Sequence, residues 1–459
     1  MKSFVKIFFL TQLTSLAALA QPIHHGEVAN NGSLYFRAEP VNNFLPDKQG
    51  KLYYYLHLQG VNKVNDQKTA RVPLNLCVVL DRSGSMNGNK LNYTKEALKY
   101  VVKQLDARDI LSVVLYENEV EVLLEPQHLE DRNKLLADID RIVTGGGTNL
   151  EGGIKKGYEL VNKVRKINSA EMINRVLLLS DGLANVGEIE PEALSAITRG
   201  YFEKEHISIS TIGVGNDYNE NLMAKIALQG GGLYYFIYSP EKLPGIFDEE
   251  LKGLSTLVAK NTSIKIKFPE ELIYERTFSF NSNLNKNELE ISFNDLFADE
   301  QKSILLCFNT RGKLNSPIAI QSTLSYLNAG RDSMVRVTDV KISEIKPAAS
   351  QTEYDNGYNR SASEGYALAV SQNLYDEAVD LASAGKYKDA KIKVDEARLI
   401  LDTHFKKVGE HIFLRELDKK LSEYTLLVDE LKNMDRETFQ YNIKLTKQDG
   451  FKRKIRSKF

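Results

Sequence analysis

Between residues 74 and 253, continuous apolar runs alternate with amphipathic helical stretches, and this alternation constrains the fold more than any other feature of the chain. The run LNLCVVL at residues 74–80 is typical of a strand that is covered on both faces. In the next segment, residues 90–105, the apolar residues recur at helical spacing. Repeated strand–helix units pack as a mostly parallel sheet with helices on both faces. We therefore predict a doubly wound α/β unit over residues 73–253.

On both sides of this unit the pattern changes to short strands. Residues 34–36 and 51–59 precede it, and alternating apolar and polar residues follow it from 254 to 345, as in Ile264, Ile266 and Phe268. Such alternation is typical of antiparallel sheets with one solvated face. The leading pair has too few strands to be stable alone. We predict that residues 21–72 and 254–345 form one antiparallel β-sandwich, into which the α/β unit is inserted.

The residues after 345 differ again in composition. Residues 346–363 have the composition of a linker, and residues 364–435 are predicted to form an α-helical module. The remaining segment, residues 436–459, is basic, with seven Lys and Arg against one Asp after residue 443. We expect it to be a solvated, disordered tail, with weak contact to anionic surfaces as the alternative.

The first twenty residues have the features of a secretory signal peptide. Lys2 and Lys6 accompany an apolar run, and the small residues Ala18 and Ala20 fit a cleavage site before Gln21. An uncleaved membrane anchor is the alternative, although the run is short and contains polar residues. No later segment is apolar enough to be a transmembrane span. The protein is therefore expected to be secreted or to reside in the periplasm or cell envelope.

Charge and cysteine content narrow the class of protein further. The chain has 60 Lys and Arg against 61 Asp and Glu, a net charge of −1, which argues against a nucleic-acid-binding protein. Its two cysteines, Cys77 and Cys307, lie in separate apolar runs. A disulfide is conceivable in an exported protein, but two buried thiols are the favoured interpretation.

Oxygen-bearing side chains recur in three loops of the α/β unit. Asp81, Ser83 and Ser85 follow the first buried strand with D-x-S-x-S spacing, at the sheet edge where parallel sheets bind ligands. Thr148 lies in the loop GGGTN before a helix, and Asp181 follows the strand RVLLL. Two carboxylates and three hydroxyls form a set of hard oxygen donors that suits Mg²⁺, with Mn²⁺ or Ca²⁺ as alternatives. Zn²⁺ is disfavoured because no His or Cys lies in these loops.

The order VVLDRSGSM, GGGTNLEGG and RVLLLSDGLANVG resembles the von Willebrand factor type A domain. It is most similar to the branch found in inter-alpha-trypsin-inhibitor heavy chains and in many exported bacterial proteins. The resemblance covers about two fifths of the chain and implies a metal-ion-dependent adhesion site. Its metal ligands would be Asp81, Ser83, Ser85, Thr148 and Asp181, the last often acting through water. It also implies binding of a protein partner whose Asp or Glu carboxylate completes the coordination of the metal.

We therefore expect a non-enzymatic, metal-dependent protein-binding protein. One alternative is a structural envelope or matrix component in which the metal only stabilises the loops. Another is a hydrolase that uses metal-bound water, which would need a general base or a second metal. Glu151 is the only carboxylate beside the Thr148 loop, and we expect it to face solvent on the following helix.

Overall fold

The structure is a computed structural model that describes residues 33–45, 48–61, 72–167, 172–252, 257–329, 335–409 and 411–456. The predicted signal peptide, residues 1–20, lies outside these ranges. Three strands precede the α/β unit: β1 (Leu34–Pro40), β2 (Phe44–Leu45) and β3 (Lys51–Gly60). Strand β1 pairs antiparallel with β3 along its whole length.

The α/β unit contains a sheet of strand order β6-β5-β4-β7-β8-β9, in which β6 alone runs antiparallel to its neighbour. All eight residues of β4 are buried, as predicted for a strand that is covered on both faces. The strands are β4 (Leu74–Asp81), β5 (Ile110–Tyr116), β6 (Val120–His128), β7 (Ile173–Ser180), β8 (Ser208–Val214) and β9 (Gly231–Ile237). The predicted doubly wound, mostly parallel sheet is confirmed.

Helices cover both faces of this sheet. They are α1 (Asn89–Gln104), α2 (Arg132–Asp140), α3 (Leu150–Ile167), α4 (Pro191–Glu205), α5 (Glu220–Gln229) and α6 (Leu243–Lys252). Helix α1 packs with α2 and α6, whereas α3, α4 and α5 pack side by side. The buried residues of α1, among them Leu91, Leu98 and Val102, recur at helical spacing and face the sheet.

The strands on either side of the α/β unit form one β-sandwich. One sheet has the order β1-β3-β14-β11 and the other has the order β12-β13-β10-β15-β16-β2. The later strands are β10 (Leu257–Lys267), β11 (Leu272–Phe278), β12 (Asn283–Asn285), β13 (Glu288–Phe297), β14 (Gln301–Thr310), β15 (Ile318–Asn328) and β16 (Val335–Pro347). Because β3 pairs with β14, the leading strands and the later strands share a sheet, and their inner faces share one core. The predicted insertion of the α/β unit into a sandwich is confirmed.

Both cysteines are buried free thiols, as predicted. Cys77 belongs to the core of the α/β unit, and Cys307 lies under the C-terminal helices on the outer face of the sandwich. Burial raises the pKa of Cys77 to about 12, so this thiol stays protonated.

Helices follow the sandwich: α7 (Gln351–Asn356), α8 (Arg360–Ser383), α9 (Tyr387–Val408), α10 (Ile412–Leu431) and α11 (Arg436–Arg456). Helix α8 packs on the outer face of the sheet that contains β3. Gly365 allows this close approach, because a Cβ at that position would lie 2.1 Å from the Tyr55 ring. No helix in the described part of the chain is both long and apolar enough to span a membrane.

The structure corrects two expectations for the C-terminal region. Residues 346–363, expected to be a linker, include the end of β16, helix α7 and the start of α8. The segment expected to be a disordered tail forms α11 as far as Arg456, and this helix packs against β9 of the α/β unit. Its face carries Tyr441, Leu445 and Phe451 at helical spacing, and these side chains pack on the core of the α/β unit.

Candidate functional site

Asp81 is the last residue of β4, at the carboxyl end of the sheet. Strand β4 pairs in parallel with β5 on one side and with β7 on the other. The strands that follow β4 in the chain are therefore added first on one side of it and then on the other, which makes β4 a topological switch point. In doubly wound sheets this point opens a crevice outside the strand ends, where ligands bind. The Asp81 side chain is completely buried at this position.

The Asp81 carboxylate is held from three directions. Ser180 Oγ and Tyr116 Oη donate hydrogen bonds to Oδ2 at 2.7 and 3.1 Å, and the backbone N–H of Ser83 donates to Oδ1 at 2.9 Å. Burial raises the pKa of Asp81, and the hydrogen bonds from Ser180 and Ser83 oppose that shift. A carboxylate has about four acceptor positions, so this group is fixed in place and keeps acceptor capacity.

The two serines of the D-x-S-x-S motif lie side by side. Ser83 is completely buried and Ser85 is exposed, and their Oγ atoms are 3.1 Å apart. Ser85 belongs to a short 3-10 turn over Gly84–Met86, in which Met86 is buried. The motif therefore presents one hydroxyl beside the buried carboxylate and a second hydroxyl at the surface.

The glycine-rich loop before α3 is hydrogen bonded to the Asp81 loop. Gly84 N–H donates to the Gly146 carbonyl at 2.8 Å, and Gly145 N–H donates to the Arg82 carbonyl at 2.7 Å. Thr148, which is 2% exposed, lies at the end of this loop. These two backbone bonds fix the position of the Thr148 loop relative to Asp81.

Asn185 connects the Thr148 loop to the Asp181 loop. Its Oδ1 accepts from Thr148 N–H at 2.7 Å, and its own N–H donates to the Thr148 carbonyl at 3.2 Å. Gly182, which follows Asp181, has φ of +64°, a conformation that favours glycine. All three loops are thus bonded to one another at one edge of the sheet.

Asp181 has a cationic partner within the protein. Its side chain is completely buried, and Lys90 Nζ lies 3.0 Å from its Oδ2 and 2.7 Å from Oδ1 of the exposed Asp217. Burial alone would lower the pKa of Lys90, but hydrogen bonds and charges from Asp217 and Asp181 raise it above the ordinary value. Lys90 is therefore a permanent positive charge beside the predicted metal site.

Several residues that position the loops were missed by the sequence analysis. Glu117 Oε2 accepts from Gly146 N–H at 2.9 Å, and hydrogen bonds from backbone donors, those of Asn118 and Gly146 first among them, lower the pKa of Glu117. Asn118 Oδ1 accepts from Gly147 N–H at 2.8 Å. Neither Glu117 nor Asn118 belongs to a motif. Nothing in the sequence around Lys90 or Asp217 distinguishes them from ordinary charged residues on the surface. Asn185 is not among the predicted site residues, yet it ties two of the loops together.

Two other residues of this edge have partners that define their roles. Arg82 Nη2 lies 3.2 Å from Glu121 Oε2, so these two side chains form an ion pair. Glu151 accepts hydrogen bonds from Lys155 Nζ at 2.6 Å and from Glu188 N–H at 3.0 Å. Both partners fix its carboxylate, so it is not the purely solvent-facing residue that was expected.

The donor chemistry of the three loops fits a hard divalent cation. No group of three or more His, Cys, Asp or Glu side chains in the described ranges is placed to hold a metal. A cation at this edge would therefore depend on hydroxyl and water oxygens in addition to carboxylates, as Mg²⁺ characteristically does. The structure places Asp81, Ser83, Ser85, Thr148 and Asp181 in loops that contact one another. Their role as metal ligands stays a prediction.

The fold and these three loops define a known class of domain. Residues 75–249 match the model of the von Willebrand factor type A domain, which confirms the resemblance predicted from the loops. The chain therefore contains a type A domain. Proteins with this domain typically mediate protein interaction and adhesion.

Relatives share this domain within longer proteins. Inter-alpha-trypsin inhibitor heavy chain H3 of Pongo abelii is 30% identical over 216 residues, which cover 45% of this chain and 24% of that protein. The protein YfbK of Escherichia coli (strain K12) is 31% identical over 206 residues, which cover 44% of this chain and 35% of that protein. The chain thus spans between a quarter and about a third of the length of these relatives.

Solved structures share the architecture over most of the chain. The von Willebrand factor type A protein from Catenulispora acidiphila has a TM-score of 0.64 at 17% identity and covers 86% of this chain and 91% of its own. The ArnB paralog VWA2 from Sulfolobus acidocaldarius has a TM-score of 0.61 at 19% identity, with coverages of 92% and 98%. The shared architecture therefore extends well beyond the type A domain.

Proposed function

We propose that this chain is an exported protein-binding protein whose type A domain holds Mg²⁺ and captures an Asp or Glu carboxylate of a partner protein. Asp81, Ser83, Ser85, Thr148 and Asp181 would hold the metal. When bound, the cation supplies a positive charge and an open coordination position to the partner. The observation that carries the proposal is the mutual hydrogen bonding of the three loops, which holds the loops that carry these residues together at the sheet edge where Asp81 is buried.

The charges of the site favour an acidic partner. Asp81 and Asp181 are both completely buried, and Lys90 neutralises Asp181 locally. Lys90 also pairs with Asp217, but that side chain is 67% exposed and is screened by solvent. Among the buried groups that the structure describes at this edge, Asp81 is therefore the one unpaired charge opposite the two positive charges of a bound cation, and the cation keeps an excess positive charge. An incoming carboxylate is attracted to that charge and forms comparatively strong, charge-assisted bonds.

The hydrolase alternative receives no comparable support. Glu151, the carboxylate considered as a base, is engaged by Lys155 and by the backbone of Glu188, and these interactions lower its pKa. A general base needs an acceptor that is free to take a proton from water. We therefore propose binding in place of catalysis for this edge.

Metal binding is tested by calorimetric titration of Mg²⁺ and Mn²⁺ into chelator-treated protein. Asp81→Asn keeps the size of the side chain but removes its charge, and we expect its affinity to fall at least about tenfold, or about 1.4 kcal/mol. Asp138→Asn is the matched control, because Asp138 is ion-paired with Arg141 on the surface of α2 in the same domain. Equal affinities for the wild type and Asp81→Asn would refute the proposed site.

A partner-capture experiment distinguishes a metal that binds a partner protein from a metal that only stabilises the loops. The immobilised protein is exposed to envelope and secreted proteins of the source organism in Mg²⁺, and bound proteins are eluted with chelator. We expect a captured protein to be lost when Asp81→Asn is immobilised, and to be lost again when its contacting Asp or Glu is changed to the amide. If Mg²⁺ raises the melting temperature while capture is unaffected by chelator, the structural alternative is correct.

A further inference from the structure

A cavity of about 280 Å³ lies between the sandwich and the C-terminal helices, away from the type A domain. Its walls come from the sheet containing β3, from the segment that includes α7, and from α8 and α9. It is larger than the cavity of about 150 Å³ that holds a benzene molecule in an engineered protein core. The lining residues that matter here are Tyr53, Tyr358, Ser363, Tyr366, His404 and Lys407.

Two buried residues that line this cavity carry polar atoms without partners among the described residues. Ser363 is 3% exposed and His404 is 6% exposed. Within the described chain, neither the Ser363 hydroxyl nor His404 Nε2 has a hydrogen-bond partner. Folded proteins pair nearly all buried polar atoms, so each unpaired atom needs an explanation. A bound molecule that can donate and accept hydrogen bonds would satisfy both.

Aromatic rings form the walls around these two groups. Tyr53 and Tyr366 pack edge to face with ring centroids 4.7 Å apart, and Tyr354 and Tyr358 make a similar contact at 6.2 Å. Burial raises the pKa of both Tyr53 and Tyr366, so their hydroxyls remain neutral. Edge-to-face and offset stacking favour a planar aromatic guest over an aliphatic one.

The charge at the cavity is positive. Lys51 and Lys407 are among the lining residues, which include no Asp or Glu. Lys51 is paired with Glu275 at 2.9 Å. Lys407 Nζ lies 5.1 Å from the centroid of the Tyr358 ring and forms no ion pair with a described carboxylate. His404 adds no charge at neutral pH, because burial, together with the charges of His411 and Arg360, lowers its pKa to about 4.

We propose that this cavity binds a small aromatic carboxylate. The ring lies among the tyrosines, a hydroxyl on the ring pairs with Ser363 and His404, and the carboxylate faces Lys407. The site is independent of the metal site, and its occupant would join the sandwich to the helical module.

The proposal is tested with the full-length protein and four probes, by calorimetry and ligand-observed NMR. 4-Hydroxyphenylacetate carries all three features, phenylacetate lacks the hydroxyl, 4-hydroxyphenylacetamide lacks the charge, and tyramine has the opposite charge. We expect 4-hydroxyphenylacetate to bind most tightly and tyramine at least about tenfold more weakly. No binding of 4-hydroxyphenylacetate up to about 10 mM, or equal binding of tyramine, would overturn the proposal.

Variants locate the binding site. Lys407→Met should weaken 4-hydroxyphenylacetate binding at least about tenfold, whereas Lys406→Met, on an exposed neighbour that does not line the cavity, should leave it unchanged. Ser363→Ala should weaken binding of 4-hydroxyphenylacetate but not of phenylacetate. Equal effects of the two lysine variants would place the ligand elsewhere. Mg²⁺ titration of Lys407→Met should match the wild type, so failure of this proposal is distinguishable from failure of the metal site.

Discussion

Lys90 Nζ lies 3.0 Å from Oδ2 of the fully buried Asp181, and the two residues form an ion pair at the edge of the type A sheet. The Lys90 side chain is itself only 15% exposed, so solvent screens the pair weakly. The domain therefore carries an internal cation next to one of its predicted metal ligands. This arrangement stabilises the metal-free protein and opposes the binding of a second cation.

Removing this internal charge should strengthen metal binding. In Lys90→Met, Asp181 loses its counter-charge near Asp81, and we expect Mg²⁺ affinity to rise at least about tenfold. One charge at about 4 Å is worth about 1–4 kcal/mol between the dielectric of water and that of a protein surface. The melting temperature in chelator should fall and should recover in Mg²⁺. Lys95→Met, on the same helix, is the control. Unchanged or weaker Mg²⁺ binding in Lys90→Met would contradict this role for Lys90.

Gly215 leaves room for the Lys90 side chain, and its replacement should be destabilising. Its φ is +83°, and a Cβ there would lie 2.7 Å from Lys90 Cε. Gly215→Ala should lower the free energy of unfolding by about 1–3 kcal/mol, since it combines a strained backbone with a displaced ion pair. Gly200 in α4 has no atom within 4 Å of such a Cβ, so Gly200→Ala should stabilise by up to about 1 kcal/mol. Urea unfolding measures both, and changes of the same sign would count against this account.

His57 should make the sandwich sensitive to acid. Burial, with a smaller contribution from Arg37, lowers the pKa of His57 to about 4, below the value of about 6.5 for an unfolded histidine. The unfolded state therefore binds the proton first, and stability that is present above pH 6.5 is lost as the pH falls toward 4. From this residue we expect a loss of roughly 2 kcal/mol between about pH 8 and pH 5. Urea unfolding at pH 8 and pH 5 should show a correspondingly smaller loss of unfolding free energy for His57→Gln than for the wild type. An identical loss in the two proteins would show that His57 is not responsible.

Helix α11 should depend on Lys444 for its attachment to the type A domain. Lys444 is 1% exposed, and its Nζ donates to the Tyr218 carbonyl at 2.8 Å and to Glu220 Oε2 at 3.0 Å. Lys444→Met leaves both acceptors without this donor, and we expect a loss of about 2–4 kcal/mol in unfolding free energy. Amide exchange within α11 should become faster.

Lys419→Met is the control for that experiment. Lys419 is exposed, and its Nζ lies 4.0 Å from Glu423 Oε1. Its replacement should therefore lower the free energy of unfolding by at most about 1 kcal/mol. Similar losses in the two variants, or unchanged exchange in α11 of Lys444→Met, would show that the buried ion pair does not hold the helix.

Local patterns in the sequence were sufficient to predict the doubly wound α/β unit and to place Asp81 and Asp181 at one edge of its sheet. Strands such as β4 are buried on both faces, so their apolar runs are continuous and easy to recognise. Asp81 ends β4 and Asp181 directly follows β7, and the carboxyl ends of parallel strands meet at one edge of the sheet. The predicted β-sandwich followed for a similar reason, because a strand with one solvated face alternates along its length.

Only the tertiary structure determined which helices, strands and loops contact one another. The charges of α11 suggested a solvated tail, but Lys444 and Lys447 pair with Glu220 and Asp380 on other elements. The apolar face of α11 also packs on the core of the α/β unit. Lys90 looked like any lysine on a helix until the fold placed it beside Asp181. The pattern of apolar residues along one helix or strand indicates which of its faces is buried. Charge pairing, loop contacts and the tyrosine-lined cavity depend on residues far apart in the chain, and only packing brings those residues together.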